Sequence, residues 1–330
     1  MAGDSTKKRK RKTEEVEEEE PEEEQKQEGE KKKTGTEDLT LYRFVRECVG
    51  NKILAIFGDT RTGKTTFCMS LAIECASLYK SHVIYIDTEG NIPSKLEHEN
   101  IEYVEVETAQ ELQDVIASIY RERKSNPPAL LIVDSISMPV LREDARASGL
   151  AERGMVQRTL ISLISDIKKL CKALNMTAIV VMHPVSTMTL SRILESVVKR
   201  LEQNLQQSGS RKRRISIEEL PEEIKLMYWK PVGGKALFDI KEIWLTHVAY
   251  RGKLSDLANS RGVEPEVLNK LEKVLPSLDV PVTKTIVYAS ESRRFPKLEK
   301  LVSMYITSEA IVYKIHVEPR PWRQPKILQA

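Results

Sequence analysis

The stretch Ile53–Thr66, ILAIFGDTRTGKTT, constrains the fold more than any other part of the chain. Ile53 to Phe57 is an unbroken apolar run, the pattern of a strand buried on both faces. It gives way to Gly58-Asp59-Thr60-Arg61-Thr62-Gly63-Lys64-Thr65, which fits G-x-x-x-x-G-K-[ST]. Phe67, Leu71 and Cys75 then recur every four residues, as along one side of a helix. Strand, loop and helix in that order is the setting this motif needs. Gly58 and Gly63 permit backbone angles closed to other residues, so successive N–H groups can turn toward a phosphate. A helix beginning near Lys64 points its positive end at the same anion. Gly58 to Thr66 is therefore the expected cradle for the phosphates of ATP. Lys64 would reach the β- and γ-phosphates, and the Thr65 hydroxyl would ligate Mg²⁺.

More apolar runs follow. Val83 to Ile86 ends in Asp87-Thr88-Glu89-Gly90, Ala129 to Val133 ends in Asp134, and Thr177 to Met182 is a fourth run. Between them Ala109 to Tyr120 is amphipathic and stops before Pro127-Pro128. Leu150 to Leu174 reads as a long helix with Leu160, Leu163, Ile164, Ile167 and Leu170 inward. Such alternation predicts right-handed βαβ units: an α/β fold with a mostly parallel central sheet and helices on both faces. Ile243–Val248, Thr285–Tyr288 and Ile311–Ile315 read as further strands. A helical insert, 254–278, separates the first two of these. Residues 184–230 read as a long loop, with helical potential only from Leu190 to Leu205. The loop carries the basic run Arg211-Lys212-Arg213-Arg214, followed by Glu218, Glu219, Glu222 and Glu223.

Charge is unevenly placed. Residues 1–38 hold ten Lys/Arg and fourteen Asp/Glu, a balance of −4; of the totals of 52 and 49, the remaining 42 and 35 give +7. Residues 1–38 show no apolar periodicity, so they read as a disordered charged tail ahead of a folded domain, 39–330. The block Lys7 to Lys12 has the composition of a nuclear-import or nucleic-acid segment, or of a tail neutralised by its own acidic block. Four cysteines without C-x-x-C spacing suggest reduced thiols. No run of eighteen apolar residues predicts a membrane span, and the charged start has no leader pattern. A cytoplasmic place is expected, nuclear if the source is eukaryotic.

Two carboxylates close the expected site. Asp134 ends an apolar strand, at the sheet edge where open α/β sheets bind ligands, and can hold Mg²⁺ opposite Thr65. Glu89 sits just past another strand. If that strand neighbours the Ile53–Phe57 strand, Glu89 faces the γ-phosphate and can activate water; otherwise it is a capping or loop carboxylate.

The chain resembles the RecA/RadA recombinase superfamily, nearest the archaeal RadA and RadB group. The resemblance rests on GDTRTGKTT (58–66), VIYIDTEG (83–90), LLIVDS (130–135), the LAER segment (150–181) and KPVGGKA (230–236). It implies a RecA-like ATPase core with ATP and Mg²⁺, Glu89 and Lys64 as catalytic residues, and Asp134 as the Walker B aspartate. It also implies a first DNA-binding loop with Arg142 and Arg146, and a second with Arg211, Lys212, Arg213 and Arg214. Single-stranded DNA, a main recombinase and a second copy of the chain are the implied partners. The chain departs from the pattern where recombinases end a strand in Asn-Gln. His183 and Pro184 stand there, which makes His183 a sensor candidate. The charged tail replaces a helix-hairpin-helix domain, and no F-x-x-A motif precedes the core. These departures favour a paralogue assisting recombination. A nucleotide-gated partner of another ATPase and a KaiC-like signalling ATPase are the alternatives. Ala258 and Gly262 in the insert have helix-turn-helix spacing, compatible with DNA reading or with a plain helical hairpin.

Overall fold

The computed structural model describes residues 39–90, 92, 96–207, 216–291 and 297–318. The expected tail, 1–38, and the basic run Arg211–Arg214 lie outside the described residues. In chain order the elements are α1 (Leu41–Val49), β1 (Ile53–Gly58), α2 (Lys64–Ser77), β2 (Val83–Asp87), β3 (Ile101–Glu105), α3 (Ala109–Glu122), β4 (Leu130–Asp134), α4 (Ser137–Arg146), α5 (Leu150–Leu174) and β5 (Thr177–Met182). They continue with α6 (Thr187–Gln207), α7 (Glu222–Tyr228), a 3₁₀ turn at Gly234–Asp239, β6 (Glu242–Lys253), α8 (Leu254–Asn259), α9 (Pro265–Val274), β7 (Pro281–Glu291), β8 (Lys297–Ile306) and β9 (Ile311–Ile315).

The strands form one sheet in the order β3-β2-β4-β5-β1-β6-β7-β8-β9. From β3 to β6 every pairing is parallel; from β6 to β9 every pairing is antiparallel. Every residue of β1, β2, β4 and β5 is buried. Strand alternation explains this. Ile53, Ala55 and Phe57 face α3 and α5, while Leu54 and Ile56 face α1 and α2. Trp244 of β6 closes the second core, against Phe44 and Phe67. Cys68, Cys75 and Cys171 are buried free thiols, and Cys48 is half-buried.

The structure departs from the sequence expectation in places. The long loop expected over 184–230 is largely helical: α6 spans 21 residues and α7 seven. Their apolar residues form a small cluster of their own, with Leu194, Val198 and Leu220 buried, so the core-directed pattern is weak in the sequence. The segment matched to the first DNA-binding loop is likewise mostly the helix α4. The helical insert is present as α8 and α9, and Gly262 is required between them. A Cβ there would lie 2.4 Å from the Leu257 side chain. Val267 and Leu271 of α9 are spent on packing with Val282 and Tyr305 of the sheet.

Candidate nucleotide site at the carboxyl end of the parallel strands

The loop after β1 is held open by backbone angles and hydroxyls. Gly58 has φ +159°, and a Cβ there would lie 2.4 Å from the Thr246 carbonyl oxygen, so β6 approaches too closely for any side chain. Arg61 has φ 61° and Gly63 φ 84°, successive left-handed positions that turn N–H groups inward. Thr62 Oγ1 lies 2.7 Å from Thr246 Oγ1 and donates to the Asp59 carbonyl at 2.9 Å. Arg251 Nη2 donates to the Arg61 carbonyl at 2.6 Å, a brace from β6. Lys64 opens α2, and its Nζ donates to the carbonyls of Gly58 (3.0 Å) and Asp59 (2.7 Å). Asp59, Thr60 and Arg61 are exposed; Thr65 and Thr66 are half-buried at the helix start.

Asp134 ends β4 and is nearly fully buried. Its carboxylate accepts from Tyr85 Oη at 2.9 Å and from the Thr65 hydroxyl. Burial pushes its pKa up to about 6; the bonds from Thr65 and Tyr85 pull down, and Glu89 and Asp87 push up further. Lys64 is displaced toward its own neutral form. Burial lowers its pKa, against the attraction of Asp134, Glu89 and Asp59. Burial outweighs attraction for both groups, which is the condition of a site built to take further charge. Thr65 and Asp134 offer only oxygen ligands, joined by a hydrogen bond, and so fit a small hard cation such as Mg²⁺.

Glu89 reaches this place by an unexpected route. β2 does not neighbour β1, because β4 and β5 stand between them. Instead the turn after β2 is fastened to the end of β4. Thr88 N–H donates to the Asp134 carbonyl at 2.9 Å, and the Thr88 hydroxyl exchanges bonds with Ser135 N–H (2.9 Å) and carbonyl (2.8 Å). Asp87 shapes the turn: Oδ1 accepts from Glu89 N–H (2.8 Å) and Gly90 N–H (3.1 Å), and Oδ2 from Tyr103 Oη (2.8 Å). Glu89 Oε1 then accepts from Ser135 Oγ at 3.1 Å. An Asp two residues before Glu89 is a readable Asx-turn signal; the parts of Tyr103, Ser135 and Ser137 had none.

His183 stands at the end of β5, half-buried, with Nδ1 2.9 Å from Ser137 Oγ and Nε2 3.7 Å from Glu89 Oε1. The KPVGG segment clamps its backbone: Val232 N–H donates to the His183 carbonyl at 2.9 Å, and Val185 N–H to that of Lys230 at 2.8 Å.

A model of the Rad51 family matches residues 47–195. The match supports placing the chain in the RecA/Rad51 recombinase superfamily, and the sheet is that of a RecA-like core. The matched stretch holds Lys64, Thr65, Glu89, Asp134 and His183 and ends before β6. No curated protein matches the chain.

Arg142 and Arg146 stand on α4, beside a cleft of ≈ 360 Å³ that opens next to Glu89. Arg142 Nη1 donates to the Glu107 carbonyl at 3.3 Å. The cleft is lined by Glu89, Glu105, Glu107 and Glu143 against these two arginines, so its charge is net negative. Among the described residues no helix is long and apolar enough to cross a membrane.

Proposed function

We propose that the chain binds and slowly hydrolyses ATP with Mg²⁺, as a recombinase paralogue of the archaeal RadA/RadB type that binds single-stranded DNA and assists homologous recombination and DNA repair. The convergence of Lys64, Thr65, Asp134 and Glu89 at one end of the parallel strands carries this reading. The Rad51 match over the same stretch supports it. Residues Gly58 to Thr66 take the phosphates, with backbone N–H groups and the Lys64 ammonium as donors. Magnesium, held by Thr65 and Asp134, would neutralise charge on the transferred phosphoryl group. Glu89 orients the attacking water and takes its proton, and His183 is the sensor candidate beside it. Arg142, Arg146 and Arg211 to Arg214 are the proposed DNA contacts. The folded domain is taken as 39–330, with a main recombinase or a second copy of the chain as further partners.

Glu89→Gln tests the chemistry. Turnover should fall by roughly 10²- to 10⁴-fold with nucleotide affinity retained. Full turnover by the variant would remove Glu89 from the mechanism. A second reading, a nucleotide-gated partner of another ATPase, is favoured by the net negative cleft around Arg142 and Arg146. ATPase assays with and without single-stranded DNA, at two salt concentrations, separate the two. DNA-stimulated, salt-sensitive turnover supports the first. Co-purification with a recombinase and no DNA affinity supports the second.

A further inference from the structure

We propose that His183 is a positioning residue for Glu89. Ser137 fixes the ring in the form that carries its proton on Nε2. That N–H and the Ser135 hydroxyl hold Oε1 of Glu89, leaving Oε2 to receive the proton of the attacking water. The proposal rests on the ATPase reading and says how its base is aimed.

Hydrogen-bond accounting at Ser137 decides the tautomer. Ser137 Oγ accepts the His183 backbone N–H at 2.9 Å. Its own hydrogen then needs an acceptor, and among the described residues the one in reach is His183 Nδ1, also at 2.9 Å. If Nδ1 carried the ring proton, both would be donors and the half-buried hydroxyl hydrogen would be left without a partner. Nδ1 is therefore bare and Nε2 carries the hydrogen. Burial lowers the ring's pKa and Lys64 acts the same way against Glu89, so the ring is neutral at pH 7. Glu89 and Lys64 are the charged groups that act on it, from the turn after β2 and from the start of α2.

The second half of the device is at Glu89. Ser135 Oγ accepts Met138 N–H at 3.2 Å, which directs its hydrogen to Glu89 Oε1 at 3.1 Å. His183 Nε2 faces the same oxygen at 3.7 Å, a gap that a small side-chain rotation closes, as catalytic hydrogen bonds often tighten on substrate binding. Oε2 accepts no hydrogen bond among the described residues. Two donors on one oxygen stop the carboxylate from turning and keep the other oxygen free for water. The ring cannot drift, because its backbone is clamped by Val232 and it sits between α4 and the Glu89 turn.

Two isosteres of opposite halves of the ring separate this role from a merely structural one. In His183→Asn the amide occupies the Nδ1 place and can keep Ser137, but nothing reaches Glu89. In His183→Gln the amide occupies the Nε2 place and can still donate to Glu89. The full-length variants are compared in kcat and in nucleotide affinity. His183→Asn should lose about tenfold or more in kcat with unchanged affinity, and His183→Gln should recover most of it. Full activity in His183→Asn, or no advantage of Gln over Asn, would overturn the proposal. Nitrogen-15 shifts give a readout independent of turnover. The imidazole signals missing from His183→Gln should show a protonated Nε2 and a bare Nδ1; the reverse pattern would also overturn it. Failure of the unaltered chain to hydrolyse ATP would remove the ATPase reading, while the shifts would still decide the ring's arrangement.

Discussion

The two halves of the sheet treat buried charge in opposite ways. On the parallel half, β1 to β5, Asp134 is nearly fully buried and its pKa is pushed up to about 6, because burial exceeds what Thr65 and Tyr85 return. On the antiparallel half, Glu264 sits just before α9. Burial again pushes up, yet the hydrogen bond from Tyr305 and the charges of Lys284 and Lys300 win, and its carboxyl lies below the usual range. Glu264 is ringed by partners: Tyr305 Oη donates to it, Lys300 Nζ lies 3.6 Å away and His316 Nε2 3.8 Å. The antiparallel acid is neutralised within the protein and ties the insert to the sheet. The parallel acid is left short of positive charge at a strand end, where a ligand can supply it.

Asp134→Asn is the strongest way to break this contrast. The folded pKa lies above the ordinary 3.8, so ionised Asp134 costs stability. The cost is absent below the unfolded pKa, grows as pH rises between 3.8 and about 6, and is complete at pH 7. Two units correspond to about 3 kcal/mol at most. Asparagine can still accept from Tyr85, so the variant should melt higher than the parent at pH 7.5 and equally near pH 4. Magnesium nucleotide should then stabilise the parent and not the variant. A variant less stable at pH 7.5 would show that Asp134 is not an acid under electrostatic strain.

The same contrast explains what the sequence discloses. Parallel strands covered on both faces must be apolar at every position, so β1, β2, β4 and β5 stand out as runs, and the residue ending each run is at the site. Lys64, Glu89 and Asp134 are legible for that reason. β3, with the half-exposed alternation of IEYVE, and β8, opening with Lys297-Leu298-Glu299-Lys300, carry no such run and escape notice. The strand order was also hidden: Glu89 comes to the phosphate loop through hydrogen bonds between Thr88 and Ser135, not through a neighbouring strand. The partners that aim it, Ser135, Ser137 and Tyr103, are ordinary residues whose roles exist only once distant segments meet. So are the four groups around Glu264, which come from β7, β8 and the chain just after β9.

Glu264→Gln sharpens the comparison from the other side. Glutamine keeps an acceptor for Tyr305 but removes the charge facing Lys284 and Lys300. A lowered folded pKa gives stability that is present above the ordinary 4.5 and lost as pH falls through the folded value. The variant should therefore be less stable at pH 7 and match the parent in acid, the reverse of Asp134→Asn. The loss should be about 1.5 kcal/mol, because Lys300 is a third exposed and water screens its part. ATP turnover should be unchanged. A fall in turnover would mean that the antiparallel cluster supports the chemistry after all.

The smallest effect probes the seam between the halves. Thr285 on β7 is fully buried, and its Oγ1 has no hydrogen-bond partner among the described residues. It packs under the phosphate loop: a Cβ built on Gly63 would lie 3.3 Å from that oxygen. An unpartnered buried hydroxyl costs stability, and valine has the same shape without it. Thr285→Val should stabilise the chain by about 1 kcal/mol in chemical denaturation and leave nucleotide affinity as it was. A variant that is less stable and binds nucleotide more weakly would mean that the hydroxyl serves Gly63 and its loop. The antiparallel strands would then be part of the site, extending what β6 already does through Thr246 and Arg251, and the division of labour between the two halves would fail at this strand.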